Sequence, residues 1–278
     1  MHKFQFWAKG GDVVDIRKVL EEYDGMFAVK TPDEIGAFLS EHIAEAEMEG
    51  DKASLLTLLN EQIGFARDRG RRDEALSGCD KLRTLIDEMG LAGTIHYGKS
   101  LLNIANAKRA FGMFAEAEDL FAEIERLYVT ILPEGSYDYA PLYNNWSLLA
   151  LDTGDTERAC DLVRLSLDVV DRYKGAVINQ ATTRVNLACM LMNNENRLSE
   201  AEKLVDEAIR LFESQGGDDY HFAAALSARG DILIKKQAYS EAADYYSRAA
   251  GIVRMYLGDN PKTRALEEKF KHACSMME

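Results

Sequence analysis

With 278 residues, 47% of them hydrophobic and four prolines, the chain can bury a sizeable core, and no apolar run is long enough to span a bilayer. It carries 47 acids against 33 basic residues, a formal charge of −14, and no basic stripe interleaved with aromatics. Such a chain is repelled by phosphate backbones and anionic membrane surfaces, which argues against nucleic-acid and membrane partners.

The start, Met1–Gly11, has too short an apolar stretch for a signal peptide and no small-residue cleavage site. Cys79, Cys160, Cys189 and Cys274 are scattered without redox or metal-ligand spacing, so they read as structural thiols. Both observations place the protein in the cytoplasm. The aromatics Phe4, Phe6 and Trp7 leave three readings open: docking on the first helix, occupying a neighbouring molecule's groove, or disorder.

Two helices are expected first, over Asp12–Asp24 and Thr31–Gly50. The second opens on a capping sequence, with Thr31 at the cap, Pro32 at the first position, and Asp33 and Glu34 in the first turn. The stretch 32–51 holds seven acids and no Lys or Arg, which reads as a solvated helix face or, less simply, as a docking surface for a basic partner.

From Lys52 onward the sequence repeats. Ala75, Ala117, Ala159 and Ala201 stand 42 residues apart and Ala242 follows after 41, each preceded within two positions by a glutamate. Five residues before the first three stand Gly70, Gly112 and Gly154, with Asn196 in that place in the fourth unit. Ala105, Ser147, Ala188 and Gly230 form a second column of small residues. Between the columns, apolar residues recur at spacings of three and four, as with Tyr97, Leu101 and Ile104, then Ala117, Leu120, Phe121 and Ile124. Each period is therefore a pair of helices joined by a tight turn. The turn glycine, or Asn196, takes a left-handed backbone conformation, and the small residues let the paired helices approach closely. The second column steps by 42, 41 and 42, which places one irregularity in the turn Met192–Arg197. Asn260-Pro261 opens a last helix to about Met276 with a charged face.

The expected architecture is all-α, about thirteen helices and no strand. Residues 1–51 form a tail and a degenerate helical pair, 52–259 five hairpins, and 260–278 a capping helix.

These columns resemble the tetratricopeptide repeat, and the 42-residue period with longer helices is similar to its kinesin-light-chain subclass. Leu142–Asp155 is the nearest local match, and Leu257-Gly258-Asp259-Asn260-Pro261 is similar to that subclass's inter-repeat loop. The resemblance implies a right-handed helical-hairpin solenoid whose first helices line a concave groove that binds a peptide or protein. It also implies that an asparagine on each first helix grips a ligand's backbone. The matching positions are Asn103, Asn145 and Asn186, replaced by Glu61 and Ala228 at the two ends. Asn106 and Lys99 share the helical face of Asn103, Arg109 extends it, and Arg67 is the equivalent of Arg109 one period earlier. These cations favour an acidic or carboxylate-bearing ligand. Tyr97, Tyr137, Tyr139, Tyr220 and Phe222 read first as inter-repeat packing, and otherwise as an aromatic rim.

The five histidines are isolated, and no phosphate loop, dinucleotide glycine motif or nucleophile elbow occurs. No cofactor, metal or catalysis is expected. The reading is a protein- or peptide-binding scaffold or adaptor. The alternatives are a self-associating structural protein, hence a homo-oligomer, and a regulatory sensor switched by a peptide.

Overall fold

Apolar residues at helical spacing become α-helices along the whole described chain, and no strand occurs among the described residues. The structure, a computed structural model, describes residues 15–27, 29–217 and 219–277. Phe4, Phe6, Trp7 and the first three residues of the expected Asp12–Asp24 helix lie outside them. The helices fall into two compact units that divide at Glu134 and Gly135.

The first unit contains α1 (Ile16–Met26), α2 (Pro32–Glu49), α3 (Lys52–Asp68), α4 (Arg72–Glu88), α5 (Ile95–Ala110) and α6 (Phe114–Ile131). α3 pairs with α4 and α5 with α6, while α2 packs on α3, and the first helices α3 and α5 lie side by side. Asp15 caps α1, its carboxylate accepting from the Lys18 N–H. Thr31 and Glu34 cap α2 reciprocally: the Glu34 N–H donates to Thr31 Oγ1 at 3.3 Å and the Thr31 N–H to Glu34 Oε2 at 2.9 Å. That backbone bond, aided by Lys30, holds the Glu34 carboxyl down to about 2.

The second unit contains α7 (Tyr139–Asp152), α8 (Thr156–Val170), α9 (Val177–Leu191), α10 (Leu198–Ser214), α11 (Phe222–Lys235), α12 (Tyr239–Leu257) and α13 (Pro261–Ser275). Its hairpins are α7–α8, α9–α10 and α11–α12, and α13 packs on α12. Arg264 and Glu268 of α13 are exposed, one period after the buried Phe222 and Leu226 of α11. A second helix packed there as α12 packs on α11 would bury charge.

The alanine columns lie at the helix crossings. Ala75, Ala117, Ala159, Ala201 and Ala242 are fully buried, as are Ala105, Ser147 and Ala188 on the first helices. The closest approaches are marked by glycine. A Cβ at Gly98 would lie 2.4 Å from the Tyr128 ring, and one at Gly230 would lie 2.5 Å from the Tyr246 ring.

Gly70, Gly112 and Gly154 take φ of 69°, 77° and 87° at the hairpin turns. Asn196 does not follow them. A short 3-10 turn, Glu195–Arg197, carries the chain there, with the Asn194 side chain accepting from the Asn196 N–H at 3.0 Å. The irregularity in this turn gives the chain another route, so no left-handed residue is needed. In the fifth hairpin Gln237, five residues before Ala242, takes the left-handed position at φ 61°.

Gly98→Ala and Gly230→Ala are each expected to destabilise the protein by about 1–3 kcal/mol in urea unfolding. The buried tyrosine rings have nowhere to move, which outweighs the gain in helix propensity.

Candidate functional site

Consecutive first helices present side chains to one another at intervals of one repeat, and polar bonds join them in both units. In the first unit, Asn103 Nδ2 on α5 donates to the Asn60 carbonyl on α3 at 2.8 Å and to Asn60 Oδ1 at 3.2 Å. Asn60 is itself buried and donates to the Leu56 carbonyl at 2.8 Å. In the second unit, Asn186 Nδ2 on α9 donates to Asn144 Oδ1 on α7 at 2.9 Å, and Asn179 Nδ2 donates to Tyr137 Oη. Further along that unit, Lys262 donates to Tyr220 Oη at 3.1 Å and Lys269 to Ser227 Oγ at 3.2 Å. The partners in these four second-unit bonds are each 42 residues apart.

The expected site residues fall on these faces. Asn103, Asn145 and Asn186 are half-buried, and each amide nitrogen donates within the chain, that of Asn145 to the Pro141 carbonyl of its own helix at 2.7 Å. The oxygens of Asn103 and Asn186 remain as acceptors, and so does that of Asn145. Lys99 and Arg109 are half-buried on α5, and Arg67 on α3 is half-buried with its Nε on Asp68 at 2.9 Å. Asn106 is the most enclosed of the set, and its Oδ1 has no hydrogen-bond partner among the described residues. Lys99, Asn103, Asn106, Arg109 and Arg67 thus share the first unit, while Asn145 and Asn186 share the second.

Sequence reasoning passed over some of the partners. Asn60 and Asn179 carried no signal as single residues and Tyr137 read only as an aromatic for packing or a rim, but the 42-residue step from Tyr137 to Asn179 is visible in the sequence once such pairs are sought. Glu61 stands where an asparagine was expected, and burial, with the nearby Asp24 carboxylate, raises its carboxyl above the usual range. Of the aromatics, Tyr97, Tyr139 and Phe222 are buried and Tyr137 and Tyr220 half-buried. Tyr97 Oη donates to Glu123 at 2.7 Å, and Tyr139 stacks on Tyr143 with centroids 5.8 Å apart.

Among the described residues no group of three or more His, Cys, Asp or Glu could hold a metal ion. No described helix is long and apolar enough to cross a membrane.

No protein-family model matches the chain, and no curated protein matches it. Solved structures do. Kinesin-light-chain-like repeats from Podosopora anserina superpose with a TM-score of 0.56 at 13% identity, covering 71% of this chain and 94% of that one. NprR in complex with its cognate peptide NprX gives 0.65 at 13% identity, covering 92% and 74%. Yeast Tom70 gives 0.64 at 15% identity, covering 94% of this chain and 47% of its own. The chain therefore has the tetratricopeptide-repeat fold, a packed series of helical hairpins.

Asn103→Ala is expected to lower stability by about 1 kcal/mol, because it leaves the seam to Asn60 unbridged, whereas Asn145→Ala removes only a bond to its own helix and costs less. Glu61→Gln is expected to match the wild type in stability below pH 4.5, the ordinary glutamate value. As the pH rises through the raised folded value, the native state holds more protons than the unfolded one and the wild type falls behind the variant. Urea midpoints measured across that range check both.

Proposed function

We propose that this chain is a protein- or peptide-binding adaptor that holds its ligand against first-helix faces of the hairpins within a unit. The observation that carries the reading is the placement of Asn103, Asn145 and Asn186. Each lies half-buried on a first helix with its nitrogen bonded within the chain. An amide oxygen accepts from a peptide N–H whatever the ligand's sequence, which suits backbone recognition. The likeness in fold to NprR with its bound peptide supports a ligand of this class. Lys99, Arg67 and Arg109 add positive charge to the first-unit face, which favours a carboxylate on the ligand. Binding rather than catalysis is the work such a surface can do, since it gathers acceptors and cations without a nucleophile and base in contact.

Selection of a random-peptide display library on the full chain tests this. Enriched peptides are expected to contain acidic residues and to lose roughly tenfold or more in affinity for a triple variant, Asn103→Ala, Asn145→Ala and Asn186→Ala. Circular dichroism should show that variant still helical. Failure to enrich any peptide, or equal affinity for both proteins, overturns the reading.

A further inference from the structure

A cavity of about 400 Å³ lies in the second unit, bordered by the C-terminal end of α9, by α11 and by α13, with α12 behind it. Its inner wall is apolar. Met192, just past α9, is 7% exposed, Tyr246 of α12 is 2% exposed, and Ile234 of α11 is half-buried beside them. Its rim is polar, with Asn193, Lys235 and His272 exposed to solvent. His272 follows Gly230 by 42 residues, so on α13 an imidazole stands in the column that small residues hold in the hairpins.

The remaining two lining groups, Asp231 and Lys269, satisfy each other. Lys269 Nζ donates to the two Asp231 oxygens at 2.8 and 2.9 Å. Tyr246 Oη donates to Asp231 Oδ1 at 2.8 Å. Burial, with the bond to Asp231, pushes that hydroxyl well above its usual range and keeps it a donor. The only carboxylate of the cavity is therefore engaged and its charge cancelled. Lys235 has no such partner among the described residues, and the Asn193 amide and the His272 ring add N–H donors to the rim. In a chain of formal charge −14, this mouth is a local surplus of positive charge over an apolar interior.

The complement of such a cavity is an apolar body with an anionic head. The volume lies within the range of small-molecule sites, roughly 300–1,000 Å³, which join apolar walls to a few placed polar groups. One unpaired lysine and two N–H donors suit a carboxylate, whereas a phosphate dianion would be left short of countercharge. The cavity reaches from a rim on first helices to Tyr246 on the second helix α12, and so runs inward from the first-helix faces. We propose that it binds a small organic acid, with the apolar body against Met192, Ile234 and Tyr246 and the carboxylate at Lys235, His272 and Asn193. This site is additional to the peptide-binding faces and does not rest on them.

Titration of 4-phenylbutyrate into the full chain carrying 13C-methyl methionine tests it at the Met192 resonance, which Met192→Leu identifies. A saturable shift of that resonance is expected. The neutral isostere 4-phenylbutyramide should bind roughly tenfold more weakly. Lys235→Glu and Ile234→Ser should each weaken binding of the acid by roughly fivefold. Lys203→Glu, the same charge reversal at an exposed position on α10, should leave it unchanged. Urea midpoints show which variants remain folded, and should Ile234→Ser unfold, the amide and the two lysine variants still decide. No saturable shift at Met192, equal binding of acid and amide, or equal losses from Lys235→Glu and Lys203→Glu overturns the site. A peptide end could offer the same chemistry, and Ala-Ala-Ala-Phe with a free carboxylate is the comparison. Tighter binding of that peptide than of 4-phenylbutyrate overturns the assignment to a free acid. None of these outcomes bears on the peptide selection, so the two readings fail separately.

Discussion

The structure depends on how closely two helices of a hairpin can approach. A small residue is needed where the axes cross, and the columns of Ala75, Ala117, Ala159, Ala201 and Ala242 supply it on one helix of each pair. Ala105, Ser147, Ala188 and Gly230 supply it on the other in the last four hairpins, whereas in the first Ile63 stands there and Gly78 of α4 makes the room. Close approach lets large side chains such as Tyr128 and Tyr246 fill the flanks of the crossing, where they are almost wholly buried. The two requirements are coupled: a small residue at the crossing is what gives the large one its contact surface. Because each crossing is local, every hairpin can satisfy the rule independently, and nearly the same solution recurs along the chain.

Much of this was legible because packing at a crossing tolerates few residue types, so the cause leaves a periodic trace. The hairpin turns were read less well. Glycine at Gly70, Gly112 and Gly154 reported its own backbone geometry, but Asn196 did not, since an alternative 3-10 path was open to the chain. Gln237 carries no propensity signal for φ 61° and takes it because the helices on either side fix the turn. Local chemistry marks a turn only where nothing stronger decides it.

The candidate site was legible in position more than in detail. Register and the resemblance together put Asn103, Asn145 and Asn186 on equivalent faces, whereas the bonds of Asn103 and Asn186 depend on neighbours about a full repeat away. Asn60 and Asn144 are such neighbours, and which amide each one meets is set only when the helices pack. Glu61 shows the same limit from the other side. Its identity is plain in the sequence, but its burial and the charge of the nearby Asp24 arise only in the folded chain.

The inward bonds of the asparagines have a thermodynamic consequence. A free surface amide samples several rotamers and surrenders that freedom when a ligand arrives, at a cost of about 0.5–1.5 kcal/mol for each immobilised side chain. Asn103, Asn145 and Asn186 have already lost it during folding, through Asn60, Pro141 and Asn144. The ordering entropy of these three amides is therefore charged to the stability of the protein and would not be paid again by a ligand that met them. Among chains of this architecture, those with bridged amides would trade some adaptability of the surface for stronger attachment at equal contact area.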